Sequence, residues 1–465
     1  MKKLLIASLW ALLGGIASAS TEIPSAAEPR FFIEQIEVLG VQVARPEIVL
    51  AESLLVPGQE LGEAELGAAM ARIRRLPFVI DATFALRKGS ERGRYKLEIE
   101  VDEARRFFFG QDLVYTQFTN SLAINDDFLA ANSSLSPGEL AGVRFFAGRY
   151  TMLFASASAG RGYQAGFTRY NLFDRRIFLS VALQSADCCA VDVFPLGIDP
   201  TFSSWINDDD YREASLTLGM PLARDQSLRL RLSRSTSELG QRRNLLGLDS
   251  SRAVIGYHDL EHDQVELAWI RDTSDDPILP TSGYTLTGFL DARNFSAVPD
   301  LPAGSIFGPV VVPGNNVPSI LPEFSSRQLR ASFSVAQHFS LSPRQVVSAS
   351  ARAGVGVATV ENLPVIQQEG DEAVLELVRE EDLQLVEGHF TAGYSLALWN
   401  AGKTRERGDL RLELGLEFGY DRTTPNLGLD DNPLYRKGAS ASVVFRNRWG
   451  IFRFTFQIAD YGRAF

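Results

Sequence analysis

The sequence predicts a mainly β protein: a transmembrane antiparallel β-barrel of about 16 strands, preceded by one small periplasmic α+β domain. Three observations carry this prediction. The chain opens on a short basic stretch and an apolar run of signal-peptide length. Helical periodicity marks residues 30–104 and largely disappears from Arg105 onward. From residue 105 onward, apolar and polar residues alternate with period two in segments of roughly ten residues, and the last residue is Phe465.

The N-terminal stretch is an address. Met1, Lys2 and Lys3 form a basic start, residues 4–16 are apolar, and Ala17, Ser18 and Ala19 supply a small-x-small cleavage site. Cleavage is expected before Ser20. The chain then divides into a signal peptide over 1–19, a linker over 20–29, a small domain over 30–104 and a barrel over 105–465. With 465 residues it could hold three ordinary domains, but barrels use several hundred residues as one unit.

Composition narrows the function. No apolar run of transmembrane-helix length follows the N-terminus. Only four His and two Cys are available for metal or redox chemistry. The 46 basic residues against 57 acidic ones give a net charge of −11, which argues against a nucleic-acid partner, because phosphate contacts need clustered Lys and Arg. No Gly-x-Ser-x-Gly elbow or other nucleophile signature appears, so the chain reads as a non-enzyme with no cofactor.

In the small domain, residues 31–40 (FFIEQIEVLG) alternate as a strand, with Ile33, Ile36 and Val38 as its apolar members. Pro46 suits the first turn of a helix. Leu66, Met70, Ile73 and Leu76 recur at helical spacing, and Pro77 closes that run. Residues 79–87 and 95–101 (YKLEIEV) read as two strands joined by a Lys-Gly-Ser turn. The expected order is β-α-α-β-β, with the helices over one face of the sheet.

In the barrel, Leu228, Leu230 and Leu232 alternate with Arg229, Arg231 and Ser233. Leu329, Ala331, Phe333 and Val335 alternate with Arg330, Ser332, Ser334 and Ala336. Residues 410–421 (LRLELGLEFGYD) put Leu, Phe and Tyr on even positions and Arg, Glu, Gly and Asp on odd ones. Full charges on the inward phase suit a wet lumen better than a sandwich core. The terminal segment 452–465 (FRFTFQIADYGRAF) slips in phase near Asp460, where a bulge is expected. Residues 186–210 and the proline-rich 294–324 are expected to be long outer connections.

These segments carry a resemblance. IEVLG, two helices, RRLPFVIDATF and YKLEIEV together look like a POTRA domain. A secreted POTRA domain followed by a barrel resembles the superfamily of BamA-like assembly factors and TpsB-like two-partner secretion translocators, as a divergent single-POTRA member. Residues 271–283 (RDTSDDPILPTSG) closely resemble the family's D-x-x-D-x-P-x-x-P-x-x-G turn, through Asp272, Asp275, Pro277, Pro280 and Gly283. Its aspartates are suited to accept backbone hydrogen bonds in a tight periplasmic turn. Residues 170–178 (YNLFDRRIF) resemble the N-L-F-G segment, with Asp174 in place of glycine.

Val386, Glu387, Gly388, His389 and Phe390 stand where the family has V-R-G-F/Y on a loop folded into the lumen. The resemblance implies an inward aspartate as its partner, here Asp421. Glu387 replaces the arginine, so the two carboxylates would repel unless Arg411 or Arg422 supplies the missing charge. The resemblance further implies an outer-membrane translocase or insertase in a Gram-negative bacterium. Unfolded client polypeptides would be its substrate, outer-membrane lipid its surroundings and periplasmic accessory proteins further partners. Clients would add a strand to an open sheet edge, at residues 31–38 or 79–86, and Phe465 would end the barrel's C-terminal assembly signal. Two other readings stay open: a pore for small solutes with a vestigial POTRA domain, and an adhesion role for the 294–324 connection.

Other candidates read blandly. His258 and His262 are four apart but sit in a strand-turn-strand context rather than on a helix, and His338 lies on the polar phase of its strand. Cys188 and Cys189 are adjacent and have no third partner. Residues 369–382 hold seven acidic residues around Arg379 and read either as a solvated loop or short helix, or as a lumen plug.

Overall fold

The computed structural model describes residues 29–76, 78–109, 140–158, 162–186, 211–223, 225–237, 256–276, 279–300, 310–311, 323–369, 372–399, 409–424, 434–447 and 450–463. The signal-peptide and Cys188–Cys189 assignments, Pro277 and Phe465 lie outside the described residues.

The N-terminal domain is β1 (Arg30–Leu39), α1 (Pro46–Ser53), β2 (Gln59–Gly62), α2 (Glu63–Arg74), β3 (Val79–Lys88) and β4 (Arg94–Glu103). Pro46 opens α1, where its missing N–H costs nothing. The Glu65 carboxylate accepts from the Gly62 N–H at 2.9 Å and caps the start of α2. One strand is additional to the expected order. Gln59–Gly62 pairs antiparallel with Arg30–Ile33, because the Gly58 N–H donates to the Ile33 carbonyl and lays the chain alongside β1. Four residues without clear alternation gave no signal for it. The sheet order is β2-β1-β4-β3, with β1 parallel to β4 and β3 antiparallel to it. Ile33, Ile48, Val49, Leu66, Ile73, Phe78, Leu97 and Ile99 form its core. Full burial of each such side chain stabilises by roughly 1.5–3 kcal/mol.

A second sheet of sixteen strands follows. Its members are β5 (Phe107–Phe109), β6 (Leu140–Ala147), β7 (Thr151–Ser158), β8 (Gly162–Leu172), β9 (Ile177–Ala186), β10 (Tyr211–Pro221), β11 (Gln226–Ser237), β12 (Gly256–Asp272), β13 (Gly283–Asp300), β14 (Val310–Val311), β15 (Phe324–Ser342), β16 (Gln345–Glu369), β17 (Glu372–Trp399), β18 (Asp409–Thr424), β19 (Leu434–Asn447) and β20 (Gly450–Arg463). All but β14 pair in chain order, and each pair is antiparallel. The two-residue β14 pairs in parallel with Ala373 and Val374 of β17. The end strands β5 and β20 approach within 8 Å between Cα atoms and close the barrel, with no ladder between them among the described residues.

The wall is inside out relative to the N-terminal domain. On β18, Leu414, Leu416 and Phe418 are 46%, 53% and 50% exposed, whereas inward Arg411 is 9% exposed. An apolar exterior around a charged interior is the arrangement of a membrane barrel. Connections on the side of the N-terminal domain are short, such as 343–344 and 448–449. Those on the opposite side include 187–210 and 301–323.

Three expectations change. The β19–β20 ladder runs without a register shift from Gly450 to Arg463, so Asp460 lies opposite Lys437 and there is no bulge. The polar residues there mark a strand nearing its end. His258 and His262 share the single strand β12, with a register shift before Glu261 in place of a turn. Within 369–382, the described residues from 372 on form the start of β17, opposite β16 in a long hairpin, rather than a loop, helix or plug.

Candidate functional site

Three places on the molecule carry features a polypeptide or solute could use: the free edge of the N-terminal sheet, the lumen wall and the barrel mouth beneath the domain.

The sheet has two edge strands, β2 and β3, and β3 is the longer of them. The first expected client edge is not an edge over its first half, because Arg30–Ile33 of β1 is paired with β2 on one side and β1 pairs with β4 on the other from Phe32 on. Ile33 is fully buried, and Ile36 and Val38 pack against the same core. β3 ends the sheet opposite β2, and no strand lies beyond it among the described residues. Its first residues are anchored: Arg74 donates to Asp81 at 2.9 Å and to the Ala82 carbonyl at 2.7 Å. Ile80 packs beside Ala104, Leu279 and Val444, which places the start of this edge at the barrel mouth.

On the lumen wall, a belt of charge crosses seven strands. Arg231, Glu266, Asp291 and Arg330 stand opposite one another in consecutive ladders. Arg231 also pairs with Glu213, and Arg293 with Asp291. Gln264 donates to Asp291 at 2.8 Å. Glu387 accepts from Arg330 and lies 3.1 Å from Arg352. Four carboxylates (Glu213, Glu266, Asp291, Glu387) thus face four guanidiniums (Arg231, Arg293, Arg330, Arg352), and this belt is neutral. Gly354 makes room for it, since a Cβ there would sit 2.3 Å from the Glu387 carboxylate.

This corrects the reading of the lumen motif. Residues 386–390 are wall, in the middle of β17, and not a loop folded into the lumen. Val386 and Phe390 face outward, while Glu387 is buried on the inward side. Asp421 is indeed opposite Glu387 in the ladder. Arg411 is ten residues further along β18, opposite Ala397, and Arg422 is exposed, so neither supplies the missing charge. Arg330 and Arg352 supply it from the other side. Sequence reading placed Arg330 on the inward phase but had no means of pairing it with a residue 57 positions away.

The turn motif lies between β12 and β13 at the mouth. Asp272 accepts from the Ser274 N–H at 2.8 Å, Asp275 from the Thr281 and Ser282 N–H groups at 2.8 and 3.0 Å, and Asp276 from the Leu279 N–H at 3.0 Å. Gly283 has φ +98°, and a Cβ on it would lie 2.5 Å from the Thr273 carbonyl. Only glycine fits there. Pro280 sits within the same turn. Beyond it, Asn171, Phe173 and Asp174 turn the chain between β8 and β9 with positive φ, so Asp174 adopts the conformation that glycine favours. Between domain and barrel lies a cleft of about 130 Å³ lined by Arg72, Arg75, Arg176 and Arg229 among others.

No protein-family model matches the chain, and no curated protein matches it. Among solved structures, the chain is similar to BamA from Haemophilus ducreyi lacking POTRA domains 1–3, with 11% identity, 94% of this chain and 86% of that chain covered, and a TM-score of 0.38. It is similar to CdiB from Escherichia coli, with 11% identity, 93% and 76% covered and a TM-score of 0.38. It is also similar to the ferric-catecholate import receptor Fiu from E. coli K12, with 10% identity, 92% and 73% covered and a TM-score of 0.33.

Proposed function

We propose that the protein is an outer-membrane translocase or insertase of a Gram-negative bacterium. In this reading the N-terminal domain is a periplasmic POTRA domain that takes up unfolded client chains along β3, and the barrel passes them outward or into the membrane. The single observation that carries it is the placement of the free β3 edge, whose first residues pack at the barrel mouth through Ile80, Leu279 and Val444. An extended client pairing along β3 uses main-chain hydrogen bonds, which tolerate any sequence. It is thereby delivered to the opening beside β19, one strand from the β5–β20 seam. The mechanism needs no cofactor, and accessory periplasmic proteins would bind the domain's remaining surface.

The second reading, a pore for small solutes, is favoured by the charged lumen wall. One experiment separates the two. Photocrosslinking residues are placed at Ala85 and Arg87 on β3 and, as a control, at Glu60 on β2, in cells whose native copy is deleted. Adducts with envelope proteins from β3 positions alone, together with loss of those proteins from the outer membrane or medium of the deletion strain, support the translocase. Unchanged fractions with reduced solute uptake establish the pore.

A further inference from the structure

The walls of the cleft between domain and barrel come from both parts, α1 and the end of α2 on one side, β8 to β12 with their turns on the other. Its lining holds four guanidiniums, Arg72 and Arg75 of the domain and Arg176 and Arg229 of the barrel. Three carboxylates share that lining, Glu52, Asp225 and Asp272. Arg176 pairs with Glu52 at 2.5 Å and Arg75 with Asp272 at 3.0 Å. Asp225 pairs at 2.7 Å with Arg271, which stands outside the lining. Among the described residues the lining therefore carries more positive than negative charge, and Arg271 adds to that excess.

The arginines are held in place before any ligand arrives. Arg72 is 4% exposed and donates to the carbonyl of Glu52 at 3.3 Å and to that of Ser53. These neutral acceptors aim the guanidinium without cancelling its charge. Arg229 lies on the inward phase of β11, with its guanidinium 5.8 Å from the centre of the Phe178 ring. That cation–π contact also positions the group and leaves its charge intact. Side chains fixed in this way lose little freedom on binding. Positive charge in a recess with low-dielectric walls concentrates anions. Guanidinium forks match the oxygens of a phosphate two at a time, which a point charge does not. Asn171 and Ser227 add neutral hydrogen-bond donors to the same lining. Pockets for whole small molecules run to about 300–1,000 Å³, so a space of about 130 Å³ suits a single charged group.

We propose that this cleft is a binding site for a phosphate group, held jointly by the N-terminal domain and the barrel. The group is either free phosphate or the head of an anionic phospholipid from the leaflet nearest the domain. Once bound, it neutralises the excess charge and ties the two parts of the chain together at their junction. The site needs neither client capture nor solute passage, so it stands or falls separately from the proposed function.

The test is isothermal titration calorimetry on the full chain in dodecyl maltoside and phosphate-free buffer. One arm uses inorganic phosphate. The other uses phosphatidylglycerol in mixed micelles, with a diacylglycerol of the same chains correcting for partitioning. One site per chain with a Kd of about 1 mM or tighter is expected. Arg229→Gln is expected to weaken binding about tenfold, through loss of a charge-assisted hydrogen bond. Asp225→Asn removes an opposing charge and is expected to tighten binding about threefold. Opposite signs at two lining residues separate a charge effect from damage to the fold, and Asp225→Asn decides alone if Arg229→Gln does not fold. Lys96→Ala, which breaks an exposed pair inside the domain, serves as control. This pattern with inorganic phosphate identifies the free ion as ligand, and with phosphatidylglycerol alone it identifies the lipid head. If neither probe binds, or if both lining variants stay within about twofold of the parent, the site is overturned.

Discussion

The N-terminal domain and the barrel use the same period-two signal with opposite polarity. In the domain, the inward residues of β1 and β4 are Ile33, Leu97, Ile99 and Val101, all buried with the helices against them. In the barrel, the inward residues include Arg231, Glu266, Asp291, Arg330 and Glu387, while Leu414, Leu416 and Phe418 face out. One region is held by apolar area removed from water. The other is held by its antiparallel ladders, an apolar exterior suited to lipid and mutual neutralisation of inward charges. Alternation alone therefore says that two faces differ, and the solvent on each side decides which face is which.

The largest effect expected is from Glu387→Ala, which strips the shared carboxylate from Arg330 and Arg352. Breaking a buried pair costs about 3–5 kcal/mol, to be read by reversible urea unfolding in lipid vesicles. A cost under about 1 kcal/mol would show that lumen water solvates both arginines and that the belt is a surface feature. In the domain, Ile73→Ala should cost about 2–5 kcal/mol by leaving a cavity, seen as faster amide exchange in α2 with β16 and β17 unchanged. If barrel exchange rises equally, the two regions unfold as one unit and the contrast drawn here fails.

Leu416→Arg places a charge on the outer face, and about 2–4 kcal/mol is expected if that face meets the bilayer midplane. Glu413→Gln, on the inward face of the same strand, should change stability far less. Equal costs would mean the outer face is not in lipid. Gly283→Ala forces a side chain against the Thr273 carbonyl at positive φ, and about 1–3 kcal/mol is expected, again by urea unfolding.

The smallest effect concerns pH. The Ser90 amide and hydroxyl both donate to Glu34 and hold its carboxyl below its ordinary value of 4.5. The folded domain thus favours the charged form. Its contribution is complete above the ordinary carboxylate range and is lost as pH falls through the lowered value. Exchange at Ser90 should therefore rise on acidification, once corrected for intrinsic rates, and Glu34→Gln should abolish that dependence. A dependence that survives in the variant would assign it to another carboxylate.

Much of this architecture is legible in the chain. Pro46, the Leu66–Met70–Ile73 spacing and the YKLEIEV strand mark the domain, and the leucine phase of residues 410–421 marks the lipid side of β18. The turn at 271–283 announces itself by its aspartates, prolines and glycine. The short β2 does not, because four residues carry too little pattern, and β1 could not be told from an edge strand because pairing partners are not written into a strand's own alternation.

By itself, the sequence determined which residues of each strand share a face, and that a turn shaped by aspartates and a glycine follows β12. These are local properties, set by side-chain period and backbone sterics within a few residues. Only the tertiary structure decided that Glu387 answers Arg330 and Arg352, and that Asp276 reaches Arg446 from 170 residues away. Those meetings depend on strand register accumulated around a closed sheet, and on a turn long enough to cross the opening that closure creates.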